Sequence, residues 1–180
     1  MNELVESPFA AEAPLATAGA RQSESREVAE IQTQYLMAQR FPRDPRASMD
    51  GIINAFARPR LAERAQYEYA RGGNDITGPS IHAAQAIAQQ WGNVAFGWQE
   101  FSRGVGPDGV PYSEVKAYAT DLQARVPRDI KFICRHWRDT KKGGYKLSDE
   151  RDIYELCANM AQRRVRACIL AVVPQDVIDT

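Results

Sequence analysis

More than half of the basic side chains of this chain lie in one stretch. Between Arg125 and Arg166 there are twelve of its 23 lysines and arginines but six acidic residues, which gives the stretch a net charge of +6 in a protein whose formal net charge is zero. Positive charge segregated in this way is typical of proteins that bind phosphate-bearing partners. These residues therefore predict electrostatic binding of a polyanion, and a solvated basic surface is the alternative.

The side chains of this stretch are suited to binding single-stranded nucleic acid. Flat groups among the basic residues could stack on exposed bases. Guanidinium groups bind phosphates in a bidentate way, and lysines supply point charges that hold a strand without reading its bases. The predicted DNA-binding residues are Lys131, Arg135, His136, Trp137, Arg138, Lys141, Lys142, Tyr145, Lys146, Arg163, Arg164 and Arg166.

Each part of this set also has a structural interpretation. The loop over residues 139–147 contains two glycines, and it could be a mobile surface hairpin. The predicted helix carries three arginines, Arg163, Arg164 and Arg166. They could pair with Glu155 within the helix, or form salt bridges between subunits. His136 is more typical of a structural or DNA-facing histidine than of a catalytic one.

A second pattern predicts different chemistry. Pro107-Asp108 is followed by Glu114-Val115-Lys116, which matches the Pro-Asp…(Asp/Glu)-x-Lys arrangement of metal-dependent nucleases, where acids hold Mg²⁺ and the lysine positions or activates water. Asp108, however, also has a full explanation in a Gly-Pro-Asp-Gly hairpin turn. A nuclease that uses Asp108, Glu114 and Lys116 is therefore an alternative, and a non-catalytic protein that binds an acidic partner is another.

No other pattern indicates an enzyme. The sequence contains no G-x-x-x-x-G-K-[ST] loop for ATP, and no Ser/His/Asp or Cys/His pairing suggests itself. Cys134-x-His136 lacks a second ligand pair at a spacing suited to zinc. We therefore expect a protein that is not an enzyme and needs no cofactor for chemistry, although a divalent ion could assist duplex capture.

Composition predicts a soluble, cytoplasmic protein. The chain is 44% hydrophobic and 26% charged, and its longest apolar run, residues 167–173, is too short to cross a bilayer. The acidic N-terminus lacks the basic start of a secretory signal. The three cysteines are unpatterned, which favours reduced thiols. We expect no membrane partner.

An α+β fold must position these side chains. Apolar periodicity predicts a helix that Ser80 caps and that ends at Gly92-Asn93, and alternating residues then predict strands with Val115, Ala117 and Ala119 on one face. The expected order is a helix (residues 81–91), a three-stranded antiparallel meander (94–103, 112–122 and 128–137) and a long helix (148–173). This core, residues 76–180, would follow a disordered N-terminal arm (1–24) and an N-terminal helical region (25–75) with helices at 26–41, 48–56 and 59–70.

Four features of residues 76–174 are similar to one protein family. They are the run Ile76-Thr-Gly-Pro-Ser-Ile-His-Ala-Ala-Gln-Ala-Ile-Ala-Gln-Gln-Trp-Gly92, the meander, the segment from His136 to Lys141, and the arginine helix Ala158-Asn-Met-Ala-Gln-Arg-Arg-Val-Arg-Ala-Cys-Ile-Leu170. In this order they resemble the phage single-strand DNA annealing recombinases, the Erf, RecT and Red-beta-like superfamily, which has eukaryotic homologous-pairing relatives.

The resemblance implies ATP-independent binding of single-stranded DNA and annealing of complementary strands in phage-type homologous recombination. It implies a homo-oligomeric ring or filament in the cytoplasm of a bacterial host cell, with an exonuclease as a further partner. In the eukaryotic relatives a basic cluster on this helix lines the DNA groove, and Arg163, Arg164 and Arg166 match that cluster. Pro79 and Ser80 stand where those relatives place a basic residue. The basic residues form three groups that could be three walls of one groove. They lie on a strand edge (Lys131, Arg135), in the Gly-Gly loop (Lys141, Lys142, Lys146) and on the helix (Arg163, Arg164, Arg166).

Overall fold

The computed structural model describes residues 18–71, 74–140 and 143–179, and the fold is α+β as predicted. The chain divides into two compact units, residues 1–37 and residues 38–180. The elements, in chain order, are α1 (Ala18–Arg40), α2 (Pro45–Phe56), α3 (Pro59–Ala62), β1 (Gln66–Arg71), β2 (Asn74–Pro79), α4 (Ile81–Trp91), β3 (Val94–Val105), β4 (Pro111–Asp121), β5 (Val126–Arg135), β6 (Trp137–Arg138), β7 (Tyr145–Lys146), α5 (Glu150–Val172) and α6 (Gln175–Ile178).

The N-terminal organisation differs from the prediction in two ways. Helix α1 begins at Ala18, so residues 18–24 of the predicted disordered arm are helical, whereas residues 1–17 lie outside the described residues. Ala, Arg, Gln and Glu in this segment are good helix formers, which accounts for the earlier start. The predicted helical region 25–75 is also divided, because the boundary between the two units falls after Met37 and α2 packs on α4.

The predicted third helix is wrong beyond its first turn. Helix α3 ends at Ala62, and β1 and β2 pair as an antiparallel hairpin in which Tyr67 lies opposite Gly78. Tyrosines alternate with polar residues along β1, and Gly72-Gly73 separates the two strands in the sequence. These are hairpin signals, and the pairing of the two strands outweighs the helical propensity of Ala and Glu.

Three helices begin at side chains that cap them. The Asp44 carboxylate accepts the N–H groups of the first turn of α2, and the Ser80 hydroxyl accepts the Ala83 N–H at 3.1 Å, as predicted for α4. Helix α5 begins at Glu150, two residues later than expected, because Asp149 is its cap. Gly92 ends α4 with a φ of +78°, a conformation that glycine adopts without strain.

The predicted meander is confirmed as a three-stranded antiparallel sheet in the order β3-β4-β5. Val115, Ala117 and Ala119 on β4 are at most 1% exposed, and they face the helices. We call this the covered face of the sheet. The opposite face, which carries Glu114, Lys116 and Tyr118 on the same strand, is exposed or half-buried, and we call it the open face.

Helix α5 covers the sheet through a stripe of buried residues at helical spacing. On α5, Ile153, Cys157 and Cys168 are buried, Leu156 and Met160 are half-buried, and Ala171 is exposed. The stripe continues through Ala161, Val165, Ile169 and Val172. Small buried residues on both sides, Ala161 on the helix and Ala117 on the sheet, allow the helix to pack closely on the sheet.

Candidate nucleic-acid interface

The sheet separates the predicted DNA-binding residues onto two sides of the molecule. Lys131 and Arg135 on β5 have the same parity as Ile133 and lie on the open face, while Ile130, Phe132 and Cys134 lie on the covered face. The arginines of α5 lie beyond the covered face, because the helix packs there. A single groove walled by these strand residues and by the helix is therefore a wrong expectation: the strand alternation turns the two sets in opposite directions.

The open face holds basic and aromatic side chains close together. Lys116 lies directly opposite Lys131 in the strand register, and its ammonium nitrogen is 5.9 Å from the centre of the Phe101 ring. Two like charges directly opposite each other destabilise a sheet slightly. Arg135, by contrast, forms a salt bridge with Asp108.

Two tyrosines lie flat on the open face. Each rests on a glycine of the neighbouring strand, Tyr118 on Gly97 and Tyr112 on Gly104. A side chain at Gly97 would meet the Tyr118 hydroxyl oxygen at 2.9 Å, and one at Gly104 would meet the Tyr112 hydroxyl oxygen at 2.6 Å. The glycines thus make room for the hydroxyl end of each ring on the neighbouring strand.

The three arginines of α5 point in different directions. Each residue turns a helix by about 100°, so Arg163 and Arg166 share the outward face with Asn159, while Arg164 lies on the flank next to β5. Arg164 donates from Nη1 to the Met160 carbonyl oxygen at 2.8 Å, and its guanidinium carbon lies 3.8 Å from the centre of the Phe132 ring. Its side chain is therefore held against the edge of the sheet.

Arg163 and Arg166 are two members of the predicted set whose guanidinium groups are available to a ligand. Arg163 is exposed, and it has no ion-pair or hydrogen-bond partner among the residues that the structure describes. The guanidinium carbon of Arg166 lies 4.0 Å from the centre of the Tyr67 ring on β1. A guanidinium stacked on an aromatic ring keeps its N–H edge free to donate, so the stacking orients Arg166 without occupying it.

Four other predicted residues come together in the small hairpin formed by β6 and β7. Trp137 lies opposite Lys146, and Arg138 lies opposite Tyr145. The Trp137 Nε1–H donates to Asp139 at 3.0 Å, and Tyr145 is 48% exposed. The hairpin therefore presents one arginine, one lysine and one tyrosine to solvent. Lys141 and Lys142, which belong to the same loop, lie outside the described residues.

His136 is not placed to stack on a base. It is 3% exposed, and its Nε2 lies 2.8 Å from the Ser113 Oγ, which is fully buried. Burial, and to a smaller degree the positive charge of Arg103, lower the pKa of His136. The hydrogen bond from Arg103 also lowers the pKa of Glu100, which favours its charged form. His136 is thus a neutral, structural histidine at the end of the sheet.

The three cysteines are core residues. Cys134, Cys157 and Cys168 are all buried and free. Burial, followed by the neighbouring Cys157 thiol, raises the pKa of Cys134 to about 12, so this thiol stays protonated and unreactive at neutral pH.

The residues of the nuclease alternative are engaged in other contacts. Asp108 accepts the Val110 N–H at 3.1 Å, as a turn residue does, and also pairs with Arg135. Glu114 accepts a hydrogen bond from the Ser102 hydroxyl at 2.9 Å. Within residues 18–71, 74–140 and 143–179, no group of three or more His, Cys, Asp or Glu side chains is arranged to hold a metal ion.

Sequence reasoning missed two members of these surfaces. Tyr67 is not identified as a surface residue because the predicted helix 59–70 includes it. The alternation around Gly72-Gly73 is the signal that could identify the hairpin. Lys116 was considered only as a nuclease lysine, and its position opposite Lys131 depends on strand register, which the sequence gives only after the turns are placed.

Comparison of the chain with protein-family models, with curated proteins and with solved structures finds no match. No helix in the described part of the chain is long and apolar enough to cross a membrane. The function proposed below therefore rests on the geometry of the residues themselves and on the resemblance stated above.

Proposed function

We propose that the protein binds single-stranded DNA and anneals complementary strands without ATP, in phage-type homologous recombination. The observation that carries this proposal is the pair Arg163 and Arg166 on the outward face of α5. One guanidinium has no described partner, and the other is stacked at 4.0 Å on Tyr67. Two guanidinium groups on one helix face, one of them oriented by stacking, suit consecutive phosphates of a single strand.

The chemistry required is binding rather than bond breaking. Arg163 and Arg166 neutralise backbone phosphates, which removes the repulsion between two strands that approach each other. The exposed Tyr145 of the β6–β7 hairpin offers aromatic surface to bases that point away from the phosphates. The remaining edges of the bases stay free to pair with a complementary strand, and no cofactor takes part.

Annealing of long strands requires many subunits. One pair of arginines contacts only a short length of a strand, so the protein would act as a homo-oligomeric ring or filament that presents a continuous row of such pairs. A partner exonuclease that resects duplex DNA would supply the single strands. A protein with this activity would act in the cytoplasm of the bacterial host.

The test is a fluorescence annealing assay with two complementary oligonucleotides, without ATP, together with the mass of the oligomer. We expect the protein to accelerate annealing, and its affinity for an oligonucleotide to fall steeply with salt, because each phosphate contact releases counterions. Affinity that does not change between dilute and physiological salt would contradict the proposal.

The matched control lies on the same helix. Arg151 is exposed and pairs with Glu155 at 3.1 Å, so Arg151→Ala removes a charge from α5 without touching the proposed surface. Arg163→Ala combined with Arg166→Ala should abolish annealing while the circular dichroism spectrum stays native. A double variant that is folded and still anneals at the wild-type rate would refute the role of α5.

A further inference from the structure

A second group of basic side chains lies outside the stretch of residues 125–166. A shallow cleft of about 320 Å³ lies between α3 and α4, and its polar lining consists of Arg58, Arg60, His82, Gln85 and Gln89. Leu61 and Ala86 complete the lining, so none of its described members is acidic. Both arginines precede residue 76, where the resemblance to the annealing family begins.

The α4 side of this cleft consists of polar residues on one helix face. His82, Gln85 and Gln89 are spaced by three and four residues, so they lie next to one another on the surface of α4. The buried face of the same helix holds Ala84 and Ile87. His82 lies in the first turn, where the partial positive charge of the helix N-terminus also favours an anion.

The α3 side contributes two arginines that have no acidic partner in the described part of the chain. The Arg58 Nε–H donates to the Ala55 carbonyl oxygen at 3.0 Å, which fixes the guanidinium and leaves its two terminal amino groups for another acceptor. Arg60 is exposed, and neither arginine forms an ion pair with any carboxylate in the described residues, including the nearby Glu63.

Four arginines of the structure do have acidic partners. Arg43, Arg103, Arg135 and Arg151 each form a salt bridge with a carboxylate. Arg58 and Arg60 instead flank a cleft whose other polar groups are an imidazole and two amides, all of which can donate hydrogen bonds. A set of donors with no carboxylate among the lining residues is complementary to an anion with several oxygens.

We propose that this cleft is a second binding site, separate from the α5 surface, and that it takes a phosphate group. The two guanidinium groups neutralise the charge of the phosphate, and the amides of Gln85 and Gln89 donate to its remaining oxygens. A free pyrophosphate and a phosphate of a nucleic-acid backbone share this chemistry. The site does not depend on the proposed annealing function, since none of its residues belongs to that surface.

The test uses the full chain and two probes, inorganic pyrophosphate and a fluorescent oligothymidylate. In ¹⁵N NMR spectra we expect pyrophosphate to shift the side-chain amide signals of Gln85 and Gln89. Arg60→Gln should weaken binding about tenfold, which is typical for the loss of a charged hydrogen bond. Gln89→Glu, which leaves both arginines in place, should weaken it as well. Arg26→Gln and Gln39→Glu on α1 are the matched controls, and they should bind as the wild type does.

The two probes identify the source of the phosphate. If Arg60→Gln weakens the binding of pyrophosphate, the ligand is a free phosphate compound. If only the oligonucleotide responds to Arg60→Gln, and its salt dependence decreases by about one released ion, the ligand is a nucleic-acid backbone. Arg163→Ala combined with Arg166→Ala should leave the affinity for pyrophosphate unchanged, which separates this site from the annealing surface. If neither probe distinguishes Arg60→Gln from Arg26→Gln, the proposal is wrong.

Discussion

The two faces of the β3-β4-β5 sheet are built from the same alternating strands but meet different surroundings. On the covered face, Val115, Ala117 and Cys134 are at most 1% exposed and pack against α4 and α5. On the open face, Ile133 is 57% exposed and Lys116 lies directly opposite Lys131.

The difference between the two faces shows where the net positive charge of the basic stretch is available to a ligand. On the open face the lysines and Arg135 are mixed with Asp108, Glu114 and Asp129. Beyond the covered face, the outward surface of α5 carries Arg163 and Arg166 without a described acidic partner. Charge in the sequence is therefore not equivalent to charge at a surface, because acids that are distant in sequence become neighbours in the sheet.

The largest expected effect compares an isoleucine on each side of the sheet. Ile169, on the buried side of α5, is completely buried, whereas Ile133 projects from the open face. Ile169→Ala should lower the free energy of unfolding by about 2–5 kcal/mol, because it leaves a cavity. Ile133→Ala should cost less than about 1 kcal/mol, as measured by urea denaturation. If Ile133→Ala costs as much as Ile169→Ala and the loss depends on protein concentration, the open face is buried between subunits.

The next effect compares the two sets of basic residues in DNA binding. Arg163→Ala with Arg166→Ala should weaken the binding of an oligonucleotide by about 100-fold, since two charged contacts are lost. Lys131→Ala with Arg135→Ala removes the same number of charges from the open face and should change affinity only a few-fold. Fluorescence anisotropy at fixed ionic strength measures both. Equal losses would show that a strand contacts both sides of the sheet.

A smaller effect concerns the buried histidine at the end of the covered face. Because burial lowers the pKa of His136 below its ordinary value of 6.5, the folded protein binds fewer protons than the unfolded chain at mildly acidic pH. The free energy of unfolding should therefore fall as the pH decreases from about 7 to about 5. His136→Gln should make this dependence shallower, as measured by urea denaturation across that range. Parallel curves for the two proteins would contradict a neutral His136.

The smallest effect concerns the opposed lysines of the open face. Lys131→Glu places an acid opposite Lys116 and should raise the free energy of unfolding by about 0.2–1 kcal/mol. Lys146→Glu makes the same charge change opposite Trp137, so it serves as the control and should leave stability nearly unchanged. A gain that both variants share would reflect total charge rather than the cross-strand pair.

Much of the fold could be predicted because its signals are local. Ser80 and Gly92 bound α4 as expected, since a cap and a left-handed glycine act within one turn of the chain. The meander followed from alternation along each strand. The β1–β2 hairpin was missed because short segments rich in Ala, Glu and Tyr satisfy both helical and strand patterns, and the pairing partner decides between them.

The candidate site was predicted less completely, for a reason that individual residues make clear. The sequence identifies Arg163, Arg164 and Arg166 as one cluster, but helical rotation sends Arg164 toward Phe132 and Arg166 toward Tyr67. His136 has the residue type of a stacking group, yet it lies beside Ser113 in the interior. Residue type predicts what a side chain can do, while its neighbours decide whether it is available.

The sequence by itself determined the α+β order, the faces of β4 and β5, and the concentration of basic residues between Arg125 and Arg166. These depend on periodicity and composition, which are properties of the chain. Only the tertiary structure decided that Lys131 and Arg163 lie on opposite sides of the sheet, and that Arg58 and Arg60 meet His82 at one cleft. Such placements depend on contacts between segments far apart in sequence, and no local pattern encodes them.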